Sequence, residues 1–295
     1  MRAMRSMLYI PGNAPGMIQN AAVFGADLIM IDLEDAVALA EKDAARDIAA
    51  GFLRHYDFGD LPVVVRINGA DTPFFEADLE SIVPLQPFAI RLPKCQAPSD
   101  VLLADAKMME IEEKAGLPAG SVPIHAMLES ARGIEHAYAI ATACPRVRAL
   151  TLGGQDLTAD LGIQKTREGW EFFYARSRVV MAAKAAGIDA FDTVWTDFND
   201  PEGLFREAKQ IVELGFTGKA AIHPSQVPII HRAFRPDERE VRKAERILAA
   251  AEEAERQGRG VVAVDGKMVD APIIARARHL ISLAGLYGME GGEER

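Results

Sequence analysis

Short apolar runs alternate along this chain with longer stretches in which apolar residues recur every three to four positions. The runs are SMLYIPG (6–12), DLIMIDLED (27–35), PVVVRIN (62–68), FAIRLPK (88–94), VPIHAMLES (122–130), RALTLGGQD (148–156), FDTVWTD (191–197) and KAAIHP (219–224). Most are near-continuous Val, Ile, Leu, Met and Ala, the composition of strands covered on both faces of a parallel sheet. Between them lie EKDAARDIAAGFLRHY, SDVLLADAKMMEIEEKAG and DPEGLFREAKQIVELG, helical by their period, with Ser99 and Asp200 placed to cap the last two. About eight strand–helix units in this order predict an α/β fold, a (β/α)8 TIM barrel. An open doubly wound sheet more often carries a glycine-rich phosphate turn after its first strand, and PGNAPG is a poor match to G-x-G-x-x-G.

Past Arg235–Pro236 the pattern changes. DEREVRKAERILAAAEEAERQG reads as a charged, solvated helix and RGVVAVDGKMVDAP as a hairpin turning at Asp265–Gly266. IIARARHLISLAG closes as a last helix, and GMEGGEER as a frayed end. The chain thus divides into a barrel over 1–235 and a C-terminal helix–hairpin–helix extension over 236–295, serving as a lid or as a handle for another subunit.

Composition narrows the function classes. A chain of 295 residues at 49% hydrophobic content can bury a sizeable core. A net charge of −10 with no dense Lys/Arg run speaks against nucleic acid or anionic membrane as partner. MRAMRSMLYIPG reaches Pro-Gly too early for a signal peptide, and no apolar run is long enough to span a bilayer. Cys95 and Cys144 lie in unrelated segments without metal spacing, as expected of ordinary thiols in a reduced, cytoplasmic setting.

Polar residues at the carboxyl ends of barrel strands share one mouth. Glu129 and Asp156 end neighbouring runs, and Asp32, Glu34, Asp35, Arg66, Asn68, Lys94, Asp192, Asp197 and His223 end others. An acid-rich mouth without a Cys/His cluster favours a hard cation, and Mg2+ typically takes one or two carboxylates. The six histidines show no zinc-ligand spacing. Arg66 follows three valines, where a guanidinium either meets an anion, as a carboxylate clamp or oxyanion stabiliser, or pairs with a mouth acid. Lys94 faces the same choice. His223 serves as an acid or base or as a hydrogen-bonded barrel histidine, and Trp195 and Met127 are expected to pack.

RSMLYIPGN, GADLIMIDLEDAV, VVVRIN, RLPK, MLESARGI, LGGQDLTADLG, GFTGKAAIHPSQV and DGKMVDAPI occur in order over nearly the whole chain. Together they resemble the citrate lyase β-subunit-like proteins of the HpcH/HpaI aldolase superfamily, relatives of malyl-CoA and citramalyl-CoA lyases. The resemblance implies a barrel whose C-terminal segment is exchanged between subunits of a homo-oligomer, trimer or hexamer. It also implies Mg2+-dependent making or breaking of a carbon–carbon bond in a small acyl-CoA or oxo-acid substrate. By motif position Glu129 and Asp156 hold the metal, while Arg66, Asn68, Lys94 and Gly154 contact substrate. Asp32 and Glu34 orient metal-bound water, and Asp270 reaches a neighbour's active site to handle a proton. Two departures stand out: Gly16 and Asn20 where the lyases carry an Arg and a Lys that help hold coenzyme A, and Gln155 where an acid is common. The alternatives are an aldolase acting on a CoA-free hydroxy or oxo acid, and a citrate lyase β-like subunit that works with an acyl-carrier partner.

Overall fold

The computed structural model describes residues 2–257, 262–264 and 267–288. They form two compact units, one over Met4–Ala233 and one from Phe234 onward together with the N-terminal residues. Eight parallel strands close the first into a barrel: β1 (Ser6–Pro11), β2 (Leu28–Asp32), β3 (Val63–Arg66), β4 (Ala89–Leu92), β5 (Ile124–Leu128), β6 (Val147–Leu152), β7 (Asp189–Asp192) and β8 (Gly218–Ala221). Within each strand, side chains alternate between the barrel interior and the helix layer. Met7, Leu28, Met30, Val64, Ala89, Ala149 and Phe191 meet as one cluster inside, with Tyr9 packed against it. Their neighbours Leu8, Ile29, Ile31 and Val65, equally buried, face the helices. Both faces are dry, which is why these runs lack a polar alternate.

Two boundaries differ from the sequence expectation. The long helix after β4 spans Pro98–Ala115, and its start is fixed by Asp100, whose carboxylate accepts the N–H groups of Gln96 and Ala97. Ser99 is therefore not its cap. The run expected over 191–197 straddles the end of β7, because the chain leaves the sheet after Asp192. Asp200 does cap the helix Pro201–Leu214, accepting from the Gly203 N–H at 2.8 Å.

The second unit holds the helix Glu238–Arg256, the antiparallel pair β9 (Val262–Val264) and β10 (Lys267–Val269), and the helix Ala271–Leu286. Ala244, Ile247, Val269 and Ala277 form its apolar centre. The expected turn at Asp265–Gly266, and the chain end from residue 289 on, lie outside the described residues. Among the described residues no helix is long and apolar enough to cross a membrane.

Candidate active site

Strand register assembles a polar row inside the barrel. Asp32 on β2 stands beside Arg66 on β3, Arg66 beside Arg91 on β4, and Arg91 beside His125 on β5. Arg66 donates from Nε and Nη2 to the two carboxylate oxygens of Asp32 at 2.7 and 2.6 Å, and its Nη1 lies 2.9 Å from Glu34 Oε2. Burial opposes the charge of Arg66, but Asp32 and Glu34 outweigh it and hold the group well above the ordinary guanidinium range. Asp32 is saturated in turn, since it also accepts the N–H groups of Glu34 and Ala36. Of the two roles the sequence leaves open for Arg66, the ion pair is present. The guanidinium nonetheless borders open space at the mouth, so it can still face a ligand.

Glu129 follows the last residue of β5, where Ser130 ends the strand by capping the next helix, its Oγ accepting the Gly133 N–H at 3.1 Å. One carboxylate oxygen, Oε1, accepts the backbone N–H of Lys94 at 2.6 Å. That contact needs Lys94 in the left-handed region, at φ 54°, a costly conformation for a side-chain-bearing residue. The other oxygen, Oε2, is buried and accepts no hydrogen bond. Burial, reinforced by the nearby acids Glu34 and Asp156, pushes the Glu129 carboxyl up to about 8. Burial raises Glu34 as well, although Arg66 and Lys94 (Nζ to Oε1, 2.9 Å) oppose the shift. An orphaned buried carboxylate oxygen among like charges is the environment a divalent cation relieves.

Asp156 arrives differently from what its strand-end position suggests. β6 stops at Leu152, and Asp156 sits in the first turn of the helix Gly154–Leu161. The Gly-Gly pair makes this possible. A Cβ on Gly153 would stand 2.5 Å from Glu129 Oε2, and one on Gly154 would stand 2.8 Å from the Thr193 hydroxyl. With hydrogens there, the backbone runs tight against Glu129, and the Gly154 N–H donates to Thr193 Oγ1 at 2.9 Å. Two spaces open from this point. One of about 640 Å3 is bordered by Lys94, Glu129, Arg132 and Asp156. The other, about 420 Å3, is bordered by Tyr9, Asp32, Arg66, Gly154, Asp156 and Thr193. Asp156 borders both.

Not every candidate reaches this mouth. Asn68 gives both its backbone N–H and its side-chain amide to Asp78 Oδ2, at 2.8 and 2.7 Å, and so anchors the neighbouring helix Phe75–Ile82. Asp192 turns outward into an ion cluster with Arg176 and Lys219. Asp197 and His223 are exposed, the latter hydrogen-bonded to Ser225 at 2.7 Å. Asp270 belongs to the second unit, where its carboxylate accepts the Ile273 N–H at 3.2 Å and caps the last helix. Met127 and Trp195 are buried as expected. Tyr9, Arg91 and Thr193 were not anticipated. For Tyr9 the available signal was its parity with Met7 along SMLYIP.

Comparison with known proteins accords with this geometry. Residues 5–224 match the family described as HpcH/HpaI aldolase/citrate lyase. The citrate lyase subunit beta of Leuconostoc mesenteroides subsp. cremoris is 42% identical over 283 residues, covering 96% of this chain and 94% of that protein. A (3S)-malyl-CoA thioesterase of Cereibacter sphaeroides is 37% identical, covering 95% and 94%. Among solved structures, CitE from Mycobacterium tuberculosis in complex with magnesium, acetoacetate and coenzyme A superposes with a TM-score of 0.79 at 32% identity, covering 96% of this chain and 98% of that one. A closed barrel with paired acids at its mouth and a family match over most of its length leave one placement: this chain belongs to the HpcH/HpaI aldolase/citrate lyase family.

Proposed function

We propose that the chain is a Mg2+-dependent carbon–carbon lyase acting on a hydroxyacyl thioester that carries a carboxylate beside its hydroxyl, of malyl, citramalyl or citryl type. The observation that supports this best is the unpartnered, buried Oε2 of Glu129 beside Asp156. Glu129 and Asp156 would hold the cation, and two carboxylates leave room for substrate oxygens, as Mg2+ sites commonly do. When bound, Mg2+ supplies Lewis acidity toward the substrate's hydroxyl and carboxylate oxygens. Arg66, clamped by Asp32, is preorganised to stabilise the hydroxyl oxygen as it gives its proton to solvent water and becomes a carbonyl. The broken bond's electron pair passes to the thioester's α-carbon, and Asp270 of a second copy delivers a proton there. The products are a 2-oxo acid and an acyl thioester. Residues 236–295 act in this reading as an exchanged lid, and two buried free thiols suit a reduced compartment.

A second reading concerns the thioester's handle. The helix Pro15–Gln19 carries no basic residue, and Asn20 spends its amide on Gly16 O at 2.7 Å. With the similarity to a citrate lyase subunit beta, this favours a thioester on an acyl-carrier partner over free coenzyme A. The experiment offers malyl, citramalyl and citryl groups as CoA esters and on a carrier protein, with and without Mg2+, and measures released 2-oxo acid. Mg2+-dependent release from any of them supports the lyase. If no thioester is cleaved while pyruvate or oxaloacetate stabilises the protein against heat, the CoA-free aldolase replaces it.

A further inference from the structure

Beneath Arg66 the barrel holds a second guanidinium with different surroundings. Arg91 is fully buried, and no carboxylate lies within ion-pair distance of it among the described contacts. Its Nη1 donates to the Tyr9 phenolic oxygen at 2.8 Å, while Nε and Nη2 have no hydrogen-bond partner. His125, its neighbour in register, is held neutral, its cationic form disfavoured by burial and by Arg91, and in neither form does an imidazole carry negative charge. A buried cation without an anion is expensive, and it draws negative charge toward itself.

Tyr9 stands between that cation and the mouth. It borders the 420 Å3 space, and the Arg66 guanidinium lies 5.3 Å from its ring centroid. A guanidinium donates hydrogen bonds and accepts none. The Arg91 contact therefore occupies a lone pair on the phenol and leaves its hydrogen unspent. The described hydrogen bonds include no protein acceptor for it, and His125 Nδ1 is itself unpartnered. Arg66, by contrast, has most of its donors committed to Asp32 and Glu34. The spare donors of Arg91 do not border this space, and the phenol of Tyr9 does.

We propose that Tyr9, positioned by Arg91, is a substrate-contacting hydrogen-bond donor that recognises a carboxylate oxygen of the oxo-acid half of the substrate in the smaller space of the mouth. Tyr9 fixes the direction of the contact. Arg91 behind it makes the contact selective for an anion, because it has no carboxylate within ion-pair distance. The proposal rests on the mouth being the lyase site, so its test separates the two.

The probes are pyruvate and its uncharged carboxamide, pyruvamide, titrated in the presence of Mg2+ and followed by thermal shift and by the ultraviolet difference spectrum of tyrosine. The wild-type protein is expected to prefer pyruvate and to show a phenol perturbation on binding. Tyr9→Phe removes only the hydroxyl. It should bind pyruvate roughly ten- to a hundred-fold more weakly, the range of a charge-assisted hydrogen bond, lose the perturbation, and keep its Mg2+ response. Arg91→Met replaces an unpaired buried charge with an apolar chain, which such sites tolerate. It should leave Mg2+ binding intact and erase the preference for pyruvate over pyruvamide. If Tyr9→Phe binds pyruvate as the wild type does, or Arg91→Met keeps the preference, the assignment is overturned and the lyase reading stands. If the wild-type protein shows no Mg2+-dependent binding of pyruvate, the assignment is overturned, while the lyase reading is decided separately by the 2-oxo acid released from the thioesters.

Discussion

Two groups of buried charge belong to the same barrel and resolve themselves in opposite ways. Between the strands and the helix layer, Arg176 bonds both oxygens of Asp192 at 2.9 and 3.0 Å, and Lys219 reaches Asp192 at 2.8 Å and Glu207 at 2.7 Å. Lys165 adds a third cation, 3.3 Å from Glu207. Burial alone would raise these two carboxyls, but Arg176 and Lys219 overcome it and hold both below their ordinary range. At the mouth the balance reverses. Asp32, Glu34, Asp35, Glu129 and Asp156 face Arg66 and Lys94, and burial together with the surplus acid leaves Glu129 raised with an oxygen unpaired. The first group gives each carboxylate at least two cations, and it is a donor, Arg176 Nη1, that stays without a hydrogen-bond partner. The second keeps an acid oxygen without a partner, which is where the proposed function puts a cation.

The largest effect should come from removing the surplus. Glu129→Gln takes away a carboxylate the fold does not favour, so melting without Mg2+ should stay unchanged or rise slightly. Thioester cleavage should fall by about 10^3-fold or more, the scale of losing a metal worth several kcal/mol. The Mg2+-dependent gain in melting temperature should vanish with it. Kinetics and melting curves on one preparation check both. Residual metal-dependent turnover near the wild-type rate would place the ion elsewhere.

The cation-rich group predicts the converse. Arg176→Met leaves Asp192 with Lys219 alone and Glu207 with Lys219 and Lys165 in a dry layer, which costs about 2–3 kcal/mol and lowers the melting temperature by roughly 5 °C. The Mg2+ response of the molecules that remain folded should be preserved. Acid supplies a second route to the same cluster. Both carboxyls titrate lower in the folded chain than in the unfolded one, so the unfolded state binds more protons as pH drops. Their contribution is fully present above about pH 5 and is lost as pH falls through the ordinary carboxylate range near 4 and below. Melting temperature against pH should therefore decline on the acid side, and decline less steeply in Arg176→Met. A parallel decline in both proteins would mean that the cluster does not carry the acid sensitivity.

What could be read from sequence follows the same division. The strands were legible because both faces are buried and most of the runs are near-continuously apolar, and Glu129 was legible as the acid that ends such a run. Asp192 was misread toward the mouth, because a strand as short as Asp189–Asp192 does not set its own parity. One residue decides that Phe191 faces in and Asp192 faces out. Asn68 was misread because its partner, Asp78, lies on a helix face that no local pattern discloses. Asp156 was found in the right place for the wrong reason: Gly153 and Gly154 end the strand early, and their need is set by Glu129 and Thr193 across the barrel. Arg91 sits in RLPK between apolar neighbours and gives no outward sign that it lacks a counterion.

The smallest effect concerns backbone strain, and it separates the two kinds of region most finely. Two residues other than glycine have left-handed φ among the described residues: Gln86 at 50° and Lys94 at 54°. Gln86 follows the short helical turn Val83–Leu85, where its N–H bonds Val83 O at 3.1 Å and its side chain takes no part in the mouth. Gln86→Gly relieves a left-handed penalty of about 1 kcal/mol or more, less the extra freedom glycine gains when unfolded, a net gain of about 0.5 kcal/mol. Melting should rise by about 1–2 °C with turnover unchanged. Lys94→Gly relieves the same penalty and keeps the N–H that holds Glu129 Oε1, but it deletes the amine 2.9 Å from Glu34. Glu34 then loses one of its two cations, and a substrate anion loses an attraction, so KM should rise several-fold while melting changes by no more than in the Gln86 variant. Equal behaviour of the two variants in melting and in KM would make Lys94 a passive hinge, its left-handed backbone serving only to aim one N–H at Glu129.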